Sequence, residues 1–148
     1  MNEPTKYSFL IADDDTGICE LLAEFIQFAN IRASIVSSND GIDAIRKLKN
    51  QSFDLVILDL KMPKADGHSV IKFMREGNSE LKKVPVILMS GHFETRDIKS
   101  ASDLSVKNFL VKPFNHHKFI DSIKKAIHVD DMDQLDPILQ LRTILEDV

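Results

Sequence analysis

Five side chains could do chemistry together: Asp13 and Asp14 in "FLIADDD", Asp59 in "LVILDL", Ser90 in "VILMS" and Lys112 in "FLVKPF". Each follows an apolar run that reads as a buried strand. Carboxylates about 4 Å apart repel by roughly 4 kcal/mol at an effective dielectric of 20. Three of them brought together therefore need a cation or a proton. Mg2+ suits the set, because it is a hard ion that takes oxygen ligands and keeps positions for water or phosphate. Mn2+ could substitute. With the ion bound, one carboxylate can attack phosphorus, a lysine can neutralise developing charge, and a serine hydroxyl can donate to a phosphoryl oxygen. Taken singly, the acids are helix-capping residues at a positive dipole end, the serine an ordinary turn residue and the lysine a solvated one. Their joint placement carries the inference of Mg2+-dependent phosphoryl transfer to a carboxylate. Asp15, the third acid of the run, is assigned to capping.

The elements that must position these residues alternate along the chain. Strands are predicted at 7–12, 32–37, 53–60, 84–90 and within 107–114. Helices follow each one. Ile18, Leu21, Leu22, Phe25 and Ala29 recur at helical spacing, as do Ile42, Ile45 and Leu48. Asp15 or Thr16 caps the first helix, and Asp66 or Gly67 opens the third. Five βα units with short links predict a parallel sheet covered by helices on both faces. Right-handed crossovers bring the carboxyl ends of all strands to one edge. Ligands of such sheets bind at that edge. The second strand, ending in "VSSND", offers no comparable signal.

At this point "FLIADDD", "LVILDLKMPKADG", "VPVILMSG" and "NFLVKPF" resemble the receiver domain of two-component response regulators, over about residues 6–128. The resemblance implies a flavodoxin-like, doubly wound α/β fold of strand order 2-1-3-4-5. It implies Asp59 as phosphoryl acceptor, with Asp14 binding Mg2+ directly, Asp13 through water, and Asp59 and the Lys61 carbonyl completing the ligands. Lys112 would pair with the phosphoryl group, and the Lys112–Pro113 peptide would be cis. Ser90 would be the switch hydroxyl and Phe109 its aromatic partner. Lys61 and His92 border the site and are expected to hinder hydrolytic water, giving a long-lived phosphoryl group. Gly91 leaves room beside it. The implied donor is a sensor histidine kinase or a phosphotransfer protein. The implied output is a downstream protein or a second receiver, bound through the fourth helix, fifth strand and fifth helix, near Lys99, Lys118 and Lys124. A homodimer is one form of that output. A rival, a phosphatase with an aspartyl intermediate, would need an acid two residues past its nucleophile, where this chain has Lys61.

Composition sets the frame. The 148 residues carry a net charge of −4, with no strongly basic block, which argues against non-specific nucleic-acid binding. No apolar run reaches the roughly 20 residues that span a bilayer. The single cysteine, Cys19, cannot form an internal disulfide, and a reducing cytoplasm is expected. His116, His117 and His128 flank the last helix and are read as solvated. Past residue 128 an acidic linker, 129–136, leads to Asp136-Pro137, a good helix start. Ile138, Leu141, Leu145 and Val148 then form an apolar seam in a predicted C-terminal helix, 137–148. A helix that short needs something to pack on. A stand-alone receiver is expected, the alternative being the N-terminal receiver of a larger regulator.

Overall fold

The computed structural model describes residues 6–127. Five parallel strands form one sheet of order β2-β1-β3-β4-β5, with β1 at Tyr7–Ala12, β2 at Ala33–Ser38, β3 at Leu55–Asp59, β4 at Val86–Ser90 and β5 at Asn108–Val111. Helices alternate with them: α1 at Thr16–Phe28, α2 at Gly41–Asn50, α3 at Gly67–Arg75, α4 at Thr95–Asp103 and α5 at His116–Ala126. The expected doubly wound order is the observed one. The linker and helix predicted at 129–136 and 137–148, and His128, lie outside the described residues. No helix among the described residues is long and apolar enough to cross a membrane.

The period of two in each strand divides the core. Phe9 and Ile11 of β1 face one layer with Leu22 and Ile26 of α1 and Phe119 and Ile123 of α5. Leu10 and Ala12 face the other, with Ala44, Leu48, Val70, Ile71 and Met74. Strands β3 and β4 are buried along their whole length, which is why they read as unbroken apolar runs.

Each of these five α-helices starts at the carboxyl edge of the sheet with a side-chain cap. Asp15 accepts from the Gly17 and Ile18 amides, Asp40 from Asp43, Asp66 from Ser69 and Asn115 from Lys118. Glu94 and Asp97 form a reciprocal capping box. Such caps are each worth about 1 kcal/mol.

Two helix stripes differ from expectation. Ile42 is 53% exposed and Leu21 45%, although both fit the helical apolar spacing. On α2 the inward residues are Gly41, Ala44 and Leu48. Gly41 seats closest: a Cβ there would lie 2.0 Å from the Ala65 carbonyl oxygen. This contact pulls the stripe toward Gly41 and turns Ile42 to solvent.

Candidate functional site

Asp13 is the most firmly held of the candidate residues. It follows β1 directly, and its side chain is 1% exposed. Its backbone amide donates to the Ser38 carbonyl at 3.0 Å. Its own carbonyl accepts from Asn39 Nδ2 at 3.2 Å and from Cys19 Sγ at 3.6 Å. Its Oδ1 accepts the Asp15 amide at 3.0 Å, and its Oδ2 accepts Lys112 Nζ at 2.7 Å. Backbone and side chain are thus fixed by β2, α1 and the link after β5. "VSSND", without signal in the sequence, supplies two of these ties through Ser38 and Asn39.

Asp59 ends β3. The first residue of α3, Gly67, donates its amide to the Leu60 carbonyl at 2.8 Å. A Cβ on Gly67 would come within 2.7 Å of the Asp59 carbonyl oxygen and 2.9 Å of Leu60 Cα. A glycine here lets α3 close onto the strand end and holds Asp59 in place.

The topology brings the three acids together. One carboxylate oxygen from each of Asp13, Asp14 and Asp59 lies within 4.8 Å of the others, with Asp14 exposed and the other two buried. Lys112 reaches into the cluster, 2.7 Å from Asp13 Oδ2 and 3.3 Å from Asp59 Oδ1. Burial, followed by the charge of Asp13, pushes the Asp59 carboxyl up to about 6, against the pull of Lys112. Burial draws the Lys112 ammonium down, but the bond to Asp13 and the charges of Asp59 and Asp13 outweigh it and hold it above the ordinary lysine value. One lysine against three acids leaves an excess of negative charge over an all-oxygen donor set. These residues fit a divalent hard cation.

Asp15 is divided from this cluster as its capping assignment requires, with its carboxylate on the Gly17 and Ile18 amides. Ser90 ends β4, 2% exposed, and its carbonyl accepts the Lys112 amide at 2.8 Å. Its hydroxyl is turned into its own loop, donating to the His92 carbonyl at 2.7 Å and accepting the His92 amide at 3.2 Å. A Cβ at Gly91 would meet nothing within 4 Å. Phe109 is half-buried, its ring edge-on to Phe93 at 5.6 Å between centroids. The Lys112–Pro113 peptide is cis. Lys61 and His92 are exposed, on the loops that follow Asp59 and Ser90.

Sequence reasoning missed Arg75. Burial lowers the pKa of this guanidinium. It donates to the carbonyls of Leu104, Lys82 and Val84 at 2.7, 2.9 and 2.8 Å, tying the end of α3 to the segments that precede β4 and β5. At the end of a helix it reads only as a cation near the negative dipole pole.

Known proteins are similar to this chain in sequence and in fold. Residues 9–124 match the family described as the response regulator receiver domain. The transcriptional regulatory protein CpxR homolog of Haemophilus influenzae is 33% identical over 118 residues, 80% of this chain and 49% of that protein. The regulator YesN of Bacillus subtilis is 32% identical over 122 residues, 82% of this chain and 32% of that protein. The chain therefore spans half or less of these two relatives. Chemotaxis protein CheY4 of Vibrio cholerae superposes with a TM-score of 0.75 at 23% identity, covering 82% of this chain and 99% of that one, a likeness of fold. CheY of Borrelia burgdorferi, solved with CheX, BeF3 and Mg2+, gives a TM-score of 0.75 at 26% identity, covering 85% and 92%. The sheet order, the acidic cluster at its carboxyl edge and the match over 9–124 lead to one conclusion: the chain belongs to the response regulator receiver domain family.

Proposed function

We propose that this chain is a phosphorylation-dependent signalling switch whose acceptor is Asp59. The observation that carries the reading is the convergence of Asp13, Asp14 and Asp59 within 4.8 Å, with Lys112 on two of them. Asp13, Asp14, Asp59 and the Lys61 carbonyl would hold the cation. Bound there, Mg2+ or Mn2+ would offset the carboxylates' repulsion and the charge of an incoming phosphoryl group. An Asp59 carboxylate oxygen attacks phosphorus in line, the new O–P bond forms, and the donor's bond to phosphorus breaks. The donor is a phosphohistidine of a sensor kinase or phosphotransfer protein, or a small acyl phosphate. Lys112 keeps its reach to Asp59 and can follow the phosphoryl oxygens. For Ser90 to donate to one of them, its hydroxyl must leave the His92 carbonyl. Phe109, one strand over and only half-buried, can change its packing with that movement.

The output face in this reading is α4, β5 and α5. A shallow groove of about 440 Å3 runs along β5 and α5, lined by Phe109 and by Lys107, Lys118, Asp121 and Lys125. Its mixed charge and one aromatic suit a protein partner, a second receiver among them.

Acetyl phosphate with Mg2+ tests the reading. Intact mass rises by one phosphoryl group in the wild type and stays unchanged in Asp59→Asn. An unmodified wild type, or a modified variant, overturns the assignment. Lys61 and His92 are proposed to hinder the hydrolytic water. Once phosphorylated protein is freed of donor, Lys61→Ala should lose the group roughly three- to tenfold faster, a barrier change of up to about 1.4 kcal/mol. Equal or slower loss removes the tuning role.

A further inference from the structure

The loop between Asp59 and α3 is closed twice. At its base the Gly67 amide donates to the Leu60 carbonyl at 2.8 Å. At its tip the Ala65 amide donates to the Pro63 carbonyl, also at 2.8 Å, across a single residue, Lys64. The backbone of Lys64 has a φ of 69°. A hydrogen bond that spans one residue of positive φ makes a γ-turn of the rare, strained kind. Glycine takes positive φ freely, and lysine does not. Such strain persists only where the surroundings over-determine it, and it gathers at functional sites.

What holds the turn is the start of α2. Gly41 lies so close that a Cβ on it would stand 2.0 Å from the Ala65 carbonyl oxygen and 2.7 Å from Ala65 Cβ. The Gly41 amide donates to the Pro63 carbonyl at 3.4 Å. Lys64 Nζ reaches Oδ2 of Asp40, the α2 cap, at 3.5 Å. That ion pair is exposed on its lysine side and contributes little. The seat of one backbone on the other is the larger constraint.

Lys61 stands three residues before the tip. Its neighbours Leu60 and Met62 are 6% and 9% exposed, which fixes its place along the loop. They do not fix the direction of its carbonyl. Pro63 narrows Met62 to extended backbone, so the peptide after Lys61 turns with residues 62–64 as one piece. With the tip seated on Gly41, that piece has one orientation.

We infer that Gly41 and the γ-turn at Lys64 are positioning elements of the cation site: α2 clamps the strained tip, and the clamped tip aims the Lys61 carbonyl. The inference rests on the proposal above that this carbonyl is a ligand. Mg2+ demands near-ideal octahedral geometry at short oxygen distances, so a carbonyl that swings is a poor ligand. Groups that orient a metal's ligands without touching the metal commonly set its affinity. The three carboxylates remain when the tip is freed, so binding weakens and is not lost.

Substitution at Lys64 separates the backbone from the side chain. Lys64→Gly and Lys64→Val both remove the ammonium and its pair with Asp40. Only valine, being β-branched, opposes a positive φ. Titration calorimetry of the full chain with Mg2+ alone reads the difference. Lys64→Gly is expected to bind within about twofold of the wild type, and Lys64→Val roughly three- to tenfold more weakly. Gly41→Ala, which pushes the Ala65 carbonyl off its seat, is expected to match Lys64→Val. The Lys64 pair carries the test if Gly41→Ala does not fold. At saturating Mg2+ the rates of phosphorylation by acetyl phosphate should agree within about twofold, since the loop acts through the ion. Equal Mg2+ affinities in Lys64→Gly and Lys64→Val overturn the proposal, whatever their melting temperatures. A rate loss that excess Mg2+ does not restore overturns it as well. A wild type that binds no Mg2+ removes the cation reading itself, and this inference with it.

Discussion

In metal-free buffer at neutral pH, Asp59→Asn unfolds at a higher temperature than the wild type. Asp59 is an acid whose carboxyl is raised to about 6 in the folded chain, by burial first and by Asp13 second. Its unfolded value is near 3.9. For an acid shifted upward, the folded state holds the proton more tightly. Stability is therefore lost as pH rises from about 4 to about 6, and the penalty is fully present above that window. Asparagine has nearly the same shape and no charge, so it removes the penalty. Lys112 is not orphaned by the change, because it keeps its 2.7 Å bond to Asp13. Allowing for water at the mouth of the pocket, the gain is about 1 kcal/mol, a rise of several degrees in Tm. The gap should close as pH falls below 4. Mg2+ acts the other way: at a hundred times its Kd it adds about 2.7 kcal/mol to the wild type and far less to a variant lacking one ligand. Thermal unfolding across pH, with and without Mg2+, reads all three effects. A variant no more stable than wild type in metal-free buffer would show that Asp59 carries no such strain.

Phe119→Ala should cost about 3–5 kcal/mol, read as a lower urea midpoint at unchanged slope. The ring is fully buried beneath the sheet. It stacks on Phe114 at 5.8 Å and tilts against Phe25 at 6.2 Å between centroids. Truncation leaves a cavity walled by aromatic rings that cannot all collapse into it. The loss is a large share of the 5–15 kcal/mol typical of a whole domain. Ile42→Ala, at an apolar position of similar sequence character, should cost about 0.5 kcal/mol or less, because Ile42 is 53% exposed. Similar losses at the two positions would contradict the burial described for α2 and α5.

That contrast shows where the sequence speaks and where it is silent. The alternation of strands and helices was legible because β3 and β4 are apolar on both faces and four of the five strands end in a residue with chemistry, whereas the strand order came from the resemblance to receiver domains. The division of Asp13, Asp14 and Asp15 was legible because Asp13 and Asp14 directly follow the apolar strand, while Asp15 stands next to the first helical residue, Thr16. The facing of Ile42 was not, since helical periodicity fixes a stripe but leaves its centre free by a residue or so. The close approach of Gly41 to Ala65 decides it, across more than 20 residues of chain. Ser38, Asn39 and Arg75 were hidden for the same reason: their partners lie in other elements, and each is locally an ordinary strand-end, turn or helix-end residue. The Ser90 hydroxyl was placed correctly on its strand, but its engagement by His92 is a matter of rotamer, which residue order does not record.

Cys19 lies under the floor of the acidic cluster, with its sulfur on the Asp13 carbonyl. Burial, with the Asp13 charge second, pushes its thiol up to about 11, so almost no thiolate forms at neutral pH. As the chain's single cysteine, it is a native clock. A thiol reagent can mark it only when α1 parts from the end of β1, and each marking event records one such opening. Ions or phosphoryl groups that tighten the edge of the sheet should slow that clock, so the domain carries its own reporter of occupancy.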